Sequence, residues 1–356
     1  MSNPPLSTLN AQEIENLNAV RQGDVERFSE LTEPYRRELQ VHCYRILGSL
    51  HEAEDMVQET LLKAWKRLET FEGRSSLRSW LYKIATNTCL DFLDQQKSRR
   101  VLPVNLLPAS DPHDQITLPA LEINWLEPYP DEWLDDKSVV SPEARYTDLE
   151  SISLAFLTAL QLLPPRQRAV LILCDVLDFS AREAADVLEL SLSAINSVLH
   201  RARKTLHQRY QGKAQDFSAH PTDERSQWLL DHFMKAWESS DVNGLVALLK
   251  EDAIFAMPPS PSWYKGPADI GIFVAGTVFA DDGMFSGKAS SRWKLLTTRA
   301  NGAPAFAVYQ RTNDDTYQPF GMHVLEHDNG GIFQIISFID PSLPVRFGLP
   351  ASVNKT

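Results

Sequence analysis

Three stretches of helical hydrophobic spacing lie in the first hundred residues. They run from Val25 to Leu47, from Ala53 to Leu68 and from Leu77 to Phe92, and in each of them apolar residues recur every three or four positions. Such stripes separated by short breaks predict helices that pack together in a small bundle. We therefore predict an all-α domain over residues 21–100, after a flexible N-terminus at 1–20.

A second helical region at residues 151–211 ends in a helix-turn-helix pattern. Ser180 and Glu183 have the spacing of a capping box, so a helix is predicted to begin there. In the next helix, apolar residues from Ile195 to Leu206 share one face, and the opposite face is polar and basic. This pattern suits a recognition helix in a major groove, but it also fits an ordinary amphipathic helix with a solvated face.

The pattern changes after a short linker at residues 212–222. Two amphipathic helices are followed by alternating strands around Asn301-Gly302 and around Asn329-Gly330, which are hairpin signals. We predict an α+β cone with a curved antiparallel sheet over residues 223–345, followed by a tail at 346–356. The fold class is thus multi-domain, with two all-α domains and then the cone.

The charge of the chain is unevenly distributed. The formal net charge of −12 over 356 residues disfavours binding to nucleic acid, but the charge is concentrated in the Pro-rich linker at 101–150, which holds eleven acidic and only two basic residues. The helical regions on either side of it are slightly basic, so local patches leave DNA binding open. Because Trp125, Tyr129 and Trp133 lie in this linker, part of it is predicted to dock on another surface. We also hypothesise that its charge shields basic DNA-binding faces in the free protein.

The remaining composition narrows the class of protein. Cys43, Cys89 and Cys174 are far apart and lack metal-ligand spacing, so free thiols in a reducing compartment are expected. The first residues lack the features of a signal peptide, and no apolar run has the length of a membrane span. We expect a cytoplasmic protein with no metal, no cofactor and no membrane partner.

Four motifs in order resemble a known family. Asp55–Trp65 (DMVQETLLKAW) and Phe71–Asn87 (FEGRSSLRSWLYKIATN) resemble conserved region 2 of bacterial sigma-70 factors. Leu163–Arg168 (LPPRQR) resembles the entry to region 4, and the helix-turn-helix follows it. The extracytoplasmic-function (ECF) class is the most similar group. The resemblance implies an alternative sigma factor that binds core RNA polymerase at the β′ clamp and β flap, recognises −35 and −10 promoter DNA, initiates transcription and is not an enzyme.

The resemblance also implies roles for individual residues. Polymerase binding is expected at Asp55, Gln58 and Glu59, although pairing of Glu59 with Lys63 on a solvated helix is the alternative. Binding and opening of the −10 element is expected at Arg74, Arg78, Lys83, Asn87, Arg99 and Arg100. Reading of the −35 element is expected at Arg182, Ser193, Asn196, Ser197, His200, Arg201, Arg203 and Lys204. Two positions depart from the family pattern: Asn196 stands where Lys or Arg is usual, and Glu189 stands where Gly is frequent.

The C-terminal part resembles the SnoaL-like members of the nuclear-transport-factor-two and ketosteroid-isomerase cone. Leu248–Pro259 and Trp263–Gly266 carry the resemblance. A cone of this kind encloses an apolar pocket, for which the candidate lining residues are Phe255, Met257, Trp263, Phe320, His323, Phe333 and Phe338.

Three interpretations of the cone remain open. It regulates through an intramolecular contact with regions 2 and 4 or with the linker, it senses a small-molecule ligand, or it catalyses with His323 or Asp252 as a base. Asp252 is expected instead to cap the turn before a strand, and His323 to pack in the cone. Two rival functions for the whole chain are a ligand-sensing one-component transcription regulator and a cone-fold isomerase or cyclase fused to a DNA-binding domain.

Overall fold

A computed structural model of the chain describes residues 17, 19–21, 23–71, 73, 75–96, 100–114, 123–134, 149–209, 224–281, 284–285, 288–312 and 316–354. These residues fall into two compact units. The first unit comprises Met1–Arg100 with Trp133–Gln211, and the second comprises Val101–Glu132 with Gly212–Thr356. The two predicted helical domains therefore belong to one unit, and the described part of the linker up to Glu132 belongs to the other.

The N-terminal part of the first unit contains three long helices. They are α1 (Val25–Leu47), α2 (Leu50–Arg67) and α3 (Leu77–Gln96). Gly48 ends α1 at a positive φ of 74° with its N–H bonded to the Tyr44 carbonyl, and Ser49 caps α2 by accepting the Glu52 N–H. A left-handed glycine followed by a serine cap is a usual way for a chain to reverse between two helices.

Four further helices are described from end to end in the C-terminal part of the first unit. They are α4 (Leu154–Gln161), α5 (Pro165–Leu171), α6 (Ala181–Leu188) and α7 (Leu192–Arg209), and a wider π turn at Ile172–Val176 extends α5. Leu157, Ile172 and Ile195 are fully buried. The predicted helix-turn-helix is α6 and α7, which pack on each other, and α7 also packs on α5.

The second unit is an α+β domain, as predicted. Its helices are α8 (Glu224–Ser239), α9 (Val242–Val246), α10 (Gly266–Gly276) and α11 (Leu343–Arg346). Its strands are β1 (Leu249–Ala256), β2 (Trp263–Lys265), β3 (Trp293–Ala300), β4 (Ala303–Arg311), β5 (Thr316–Asp328), β6 (Gly331–Phe338) and β7 (Val353–Asn354). The sheet order is β2-β1-β6-β5-β4-β3, with β7 paired to β5.

The sheet is antiparallel except where β1 pairs with β6. Irregularities in register interrupt three of its pairings, and such bulges increase local twist and bend the sheet. Helices α8, α9 and α10 contribute side chains to one aromatic and aliphatic core that includes Phe233, Trp237 and Phe273. This bent sheet with helices packed against it is the predicted cone.

Candidate nucleic-acid interface

The helix-turn-helix begins at a complete capping box. The Ser180 hydroxyl accepts the Glu183 N–H at 3.2 Å, and the Glu183 carboxylate accepts the Ser180 N–H at 2.8 Å. Hydrogen bonds from the Ser180 hydroxyl and then from its backbone lower the pKa of Glu183. The prediction from the Ser-x-x-Glu spacing is confirmed, and α6 starts at a defined residue.

Helix α7 separates an apolar face from a polar one. Ile195, Leu199 and Ala202 are buried against the rest of the unit. All eight residues predicted to read the −35 element are exposed: Arg182, Ser193, Asn196, Ser197, His200, Arg201, Arg203 and Lys204. Seven of the eight lie on α7 and Arg182 lies on α6. The polar face of α7 has the chemistry of a helix that enters a major groove.

One member of that face already has an acidic partner. The guanidinium of Arg203 donates to both carboxylate oxygens of Asp175, at 2.9 and 2.6 Å, and this pairing raises the pKa of Arg203. A DNA phosphate that binds the Arg203 guanidinium therefore competes with the Asp175 carboxylate for the same N–H groups. This pairing was not predictable from sequence motifs, because Asp175 lies 28 positions before Arg203.

The predicted −10 residues on α3 are engaged with other parts of the unit. Arg78 donates to the Glu38 carboxylate at 2.7 Å, Lys83 pairs with Glu189 at 3.0 Å, and the Asn87 amide donates to the Val187 carbonyl at 3.2 Å. Both partners of Lys83 and Asn87 belong to the helix-turn-helix.

Arg100 lies apart from these contacts. It forms a two-point ion pair with Glu52 on α2, with N–O distances of 3.2 and 2.5 Å, and both side chains are largely buried. Arg74 and Arg99 lie outside the described residues. The structure thus brings Lys83 and Asn87 together on one helix, while Arg100 is bound elsewhere.

The predicted polymerase-binding residues share an outward face of α2. Asp55 and Gln58 are exposed, and Glu59, partly exposed, lies 3.6 Å from Lys63. Leu62 lies on the same face, four residues after Gln58, and is 46% exposed. An exposed leucine within a polar face adds apolar contact area, and the resemblance to sigma-70 region 2 did not point to Leu62.

The described linker residues bind the cone at two places. At the first, the Trp263 indole N–H donates to the Leu107 carbonyl at 2.8 Å, and the Ser110 N–H donates to the Trp263 carbonyl at 2.8 Å. This contact lies on β2. The indole of Trp263 therefore faces the linker, on the opposite side of the strand from the neighbouring core residue Tyr264.

The second linker contact is at the β3–β4 turn. The Tyr129 N–H donates to the Asn301 side-chain oxygen at 2.9 Å, and the Asn301 N–H donates to the Tyr129 carbonyl at 3.0 Å. The Asp131 carboxylate accepts the Gly302 N–H at 2.8 Å and pairs with Arg299 at 3.2 Å. The aromatic stretch of the linker docks, as its composition predicted.

The seven candidate pocket residues lie on different faces of the sheet. Phe255, Met257, Phe320 and His323 belong to the core between the sheet and the helices or pack against it. Phe338 is paired with Met322, the neighbour of His323 on β5, and so points to the opposite face. Phe333 lies 6.0 Å from the Lys250 ammonium and is not part of the core cluster. With Trp263 facing the linker, the structure brings only four of the seven together.

His323 is buried among aromatic rings. Its ring centroid is 4.3 Å from Trp237, and burial lowers its pKa to about 3. Within the described residues, neither His323 nitrogen has a hydrogen-bond partner, and the same holds for the Trp237 indole nitrogen. Asp252, the other candidate base, is exposed within β1, so the expectation that it caps the turn before the strand is wrong: the strand already begins at Leu249.

Neither a metal site nor a membrane helix is found among the described residues. No group of three or more His, Cys, Asp or Glu side chains there is arranged to hold a metal ion. No helix in that part of the chain is both long and apolar enough to cross a membrane.

Comparison with known proteins defines the class of the helical unit. Residues 31–99 match the Sigma-70 region 2 family, and residues 153–206 match the Sigma-70, region 4 family. The crystal structure of the Mycobacterium tuberculosis extracytoplasmic function sigma factor SigJ has a TM-score of 0.50 at 19% identity, covering 90% of this chain and 98% of that one. This likeness in fold extends beyond the helical unit.

A curated relative narrows the class to one family. The ECF RNA polymerase sigma factor SigG of Mycobacterium tuberculosis (strain ATCC 25618 / H37Rv) is 44% identical over 334 residues, which cover 94% of this chain and 86% of the relative. The chain therefore belongs to the ECF RNA polymerase sigma factors, and the family resemblance predicted from its motifs is confirmed. A putative ketosteroid isomerase from Kribbella flavida also matches, with a TM-score of 0.26 over 33% of the chain.

Proposed function

We propose that this sigma factor binds core RNA polymerase through the outward face of α2, reads the −10 element with α3 and reads the −35 element with α7. The observation that carries the proposal is the division of α7, whose apolar residues are buried while all its predicted base-reading residues are exposed. Transcription by RNA polymerase takes place in the cytoplasm of bacteria, and we propose that the protein acts there.

Run-off transcription with purified core polymerase tests this proposal. The full chain is mixed with core polymerase on genomic fragments, and a transcript with one defined start is expected. His200→Ala on the exposed face of α7 is expected to reduce the yield at least fivefold, because one lost base contact costs about 1–3 kcal/mol. Gln208→Ala, near the exposed end of the same helix, is the control. No defined start, or equal losses in both variants, contradicts the proposal.

The cone is proposed to regulate by holding the linker. Linker residues next to Trp263 and next to Asn301 are bonded to the cone through main-chain atoms, which holds these described stretches of the linker on the cone. Release of these contacts gives the two promoter-reading regions more freedom to separate. The cone therefore opposes the separation of regions 2 and 4 that simultaneous binding of the −10 and −35 elements requires.

Two matched tryptophan variants test the regulatory role. Trp263→Phe keeps the ring and removes the N–H that binds the Leu107 carbonyl, so transcription yield is expected to rise about two- to fivefold. Trp228→Phe makes the same change at a tryptophan of α8 that is 42% exposed, and no change is expected. Equal yields and equal core affinities in both variants contradict the regulatory proposal.

The cone is further proposed to have no catalytic role. His323 is held neutral among aromatic rings, whereas Asp252 is exposed on β1, so the two candidate bases do not share a site. His323→Leu is expected to keep promoter-directed transcription. The opposite outcome is that the purified chain isomerises a ketone and that His323→Leu abolishes this activity while transcription stays intact. That outcome favours an enzyme fused to a DNA-binding domain.

A further inference from the structure

An acidic side chain from outside the helix-turn-helix contacts the DNA-reading face of α7. Arg203 lies on that face, because it follows His200 by three residues and Asn196 by seven, and both spacings bring side chains to the same side of a helix. The partner of Arg203 is Asp175, which lies in the wider π turn that extends α5. The basic face of α7 therefore includes one carboxylate that belongs to another element.

The ion pair occupies the donor edge with which an arginine binds phosphate. Nε of Arg203 donates to Oδ2 of Asp175 at 2.9 Å, and Nη2 donates to Oδ1 at 2.6 Å. A guanidinium binds a phosphate through the same kind of parallel N–H···O pair. The Arg203 side chain is 59% exposed and that of Asp175 is 28% exposed. The guanidinium is thus open to solvent and to DNA, while the carboxylate already holds two of its N–H groups.

The other predicted −35 cations differ from Arg203 in this respect. Arg182, Arg201 and Lys204 are exposed, and in the part of the chain that the structure describes none of them forms an ion pair. Each of these three side chains can therefore bind a phosphate without giving up an acidic partner. Arg203 cannot, because its phosphate contact requires the loss of the Asp175 contact.

Binding to DNA without a promoter depends mainly on the number of phosphates that the protein neutralises. Each neutralised phosphate steepens the fall of log K with log salt by about 0.9. An arginine that a carboxylate has already neutralised adds little to this number, since the phosphate gains only what the carboxylate loses. The released Asp175 carboxylate also lies close to the DNA and repels it. Base contacts by Asn196 and His200 are made by other side chains of the face and do not require this exchange.

We propose that Asp175 is an internal substitute for a DNA phosphate, which occupies Arg203 and keeps the free chain off DNA that has no promoter. Asp175 acts through Arg203 and is a positioning residue, which itself binds neither base nor phosphate. Less of the chain is then held on random duplex, and more of it is available to core polymerase. This inference rests on the proposed role of α7 in reading the −35 element.

Salt-dependent binding to random duplex tests the proposal. The full chain is titrated onto a fluorescent promoter-free duplex at several salt concentrations, and binding is followed by anisotropy. Asp175→Asn removes the charge and keeps the shape, and the slope of log K against log salt is expected to steepen by about 0.9. With equal affinities extrapolated to about 1 M salt, the complex is then roughly 15-fold tighter at about 50 mM and roughly fourfold tighter at about 200 mM.

Three further variants separate this role from a general effect of charge. Asp178→Asn makes the same change at an exposed acid of the same loop, and its slope is expected to equal that of the unsubstituted chain. Asp175→Glu keeps a carboxylate at the position and is expected to restore most of the original slope. Combining Asp175→Asn with Arg203→Gln is expected to abolish the gain, because the released guanidinium is what meets the added phosphate.

The sign of the change in slope decides the proposal. Equal slopes in Asp175→Asn and Asp178→Asn overturn it, as does the absence of binding by both variants at low salt. A shallower slope in Asp175→Asn also overturns it, because Asp175 then directs Arg203 toward phosphate. Reduced thermal stability and affinity at an unchanged slope indicate a structural role and overturn it too. In each case, a defined transcript start from the unsubstituted chain with core polymerase leaves the proposed function standing, whereas no defined start contradicts that function as well.

Discussion

Replacing Asp131 by alanine is expected to free the linker from the β3–β4 turn. The Asp131 side chain is almost buried, accepts the Gly302 N–H at 2.8 Å and pairs with Arg299, whose side chain is 38% exposed. A hydrogen bond to a charged acceptor contributes about 1.5–3 kcal/mol, and a partly exposed ion pair adds between about 0 and 1 kcal/mol. A loss of about 2 kcal/mol is therefore expected, which is roughly a 30-fold larger open population.

Amide hydrogen exchange measures this population at a specific site. The Tyr129 N–H is bonded to the Asn301 side chain, so its exchange is expected to speed up about 30-fold in Asp131→Ala. Glu132→Ala removes the exposed acid next in sequence and serves as the control. An acceleration below threefold, or an equal one in both variants, refutes the assignment of Asp131 as the residue that fastens the linker.

Three further predictions follow from individual side chains. Ser180→Ala is expected to destabilise the helix-turn-helix by about 1 kcal/mol in thermal melts. The pKa of Glu183 is lowered in the folded protein, so its contribution to folding stability is present above the unfolded pKa and is lost as pH falls through the folded pKa. Ser180→Ala, which removes the hydroxyl bonded to Glu183, is expected to lose less stability over this pH range. Burial lowers the pKa of His323 to about 3, so as pH falls below about 6.5 the unfolded chain takes up a proton that the folded chain does not. At pH 5 this lowers the free energy of unfolding by about 2 kcal/mol. His323→Leu is expected to remove this pH dependence in thermal melts compared at pH 5 and pH 7. Asn196→Arg is expected to shift preference at one −35 base from adenine to guanine by about 1–3 kcal/mol in a base-substitution series, and an unchanged preference places Asn196 away from the bases.

Local sequence signals predicted local structure well. The Ser180–Glu183 spacing gave the start of α6, and Asn301-Gly302 gave the β3–β4 turn, because capping and turn formation depend on a few neighbouring residues. The polar face of α7 was also readable, since a periodicity of 3.6 residues separates buried from exposed positions.

Contacts between distant segments were not readable from the sequence. Asn87 meets Val187 across 100 positions, and Asp131 meets Gly302 across 171. In neither pair do the two residues belong to one motif, so no local pattern in the sequence connects them. The pairing of Phe338 with Met322 likewise depends on strand register, which decides the face of the sheet that a side chain occupies.

Footprinting of promoter DNA most directly tests the claim that α3 and α7 read two separated elements. Hydroxyl-radical cleavage is compared for core polymerase alone, for the free chain and for the two together on a fragment that supports a defined start. Protection at both −35 and −10 is expected only when chain and core are combined, and the −35 protection is expected to be lost in His200→Ala. Protection at both elements by the free chain, or protection at neither with core present, contradicts it.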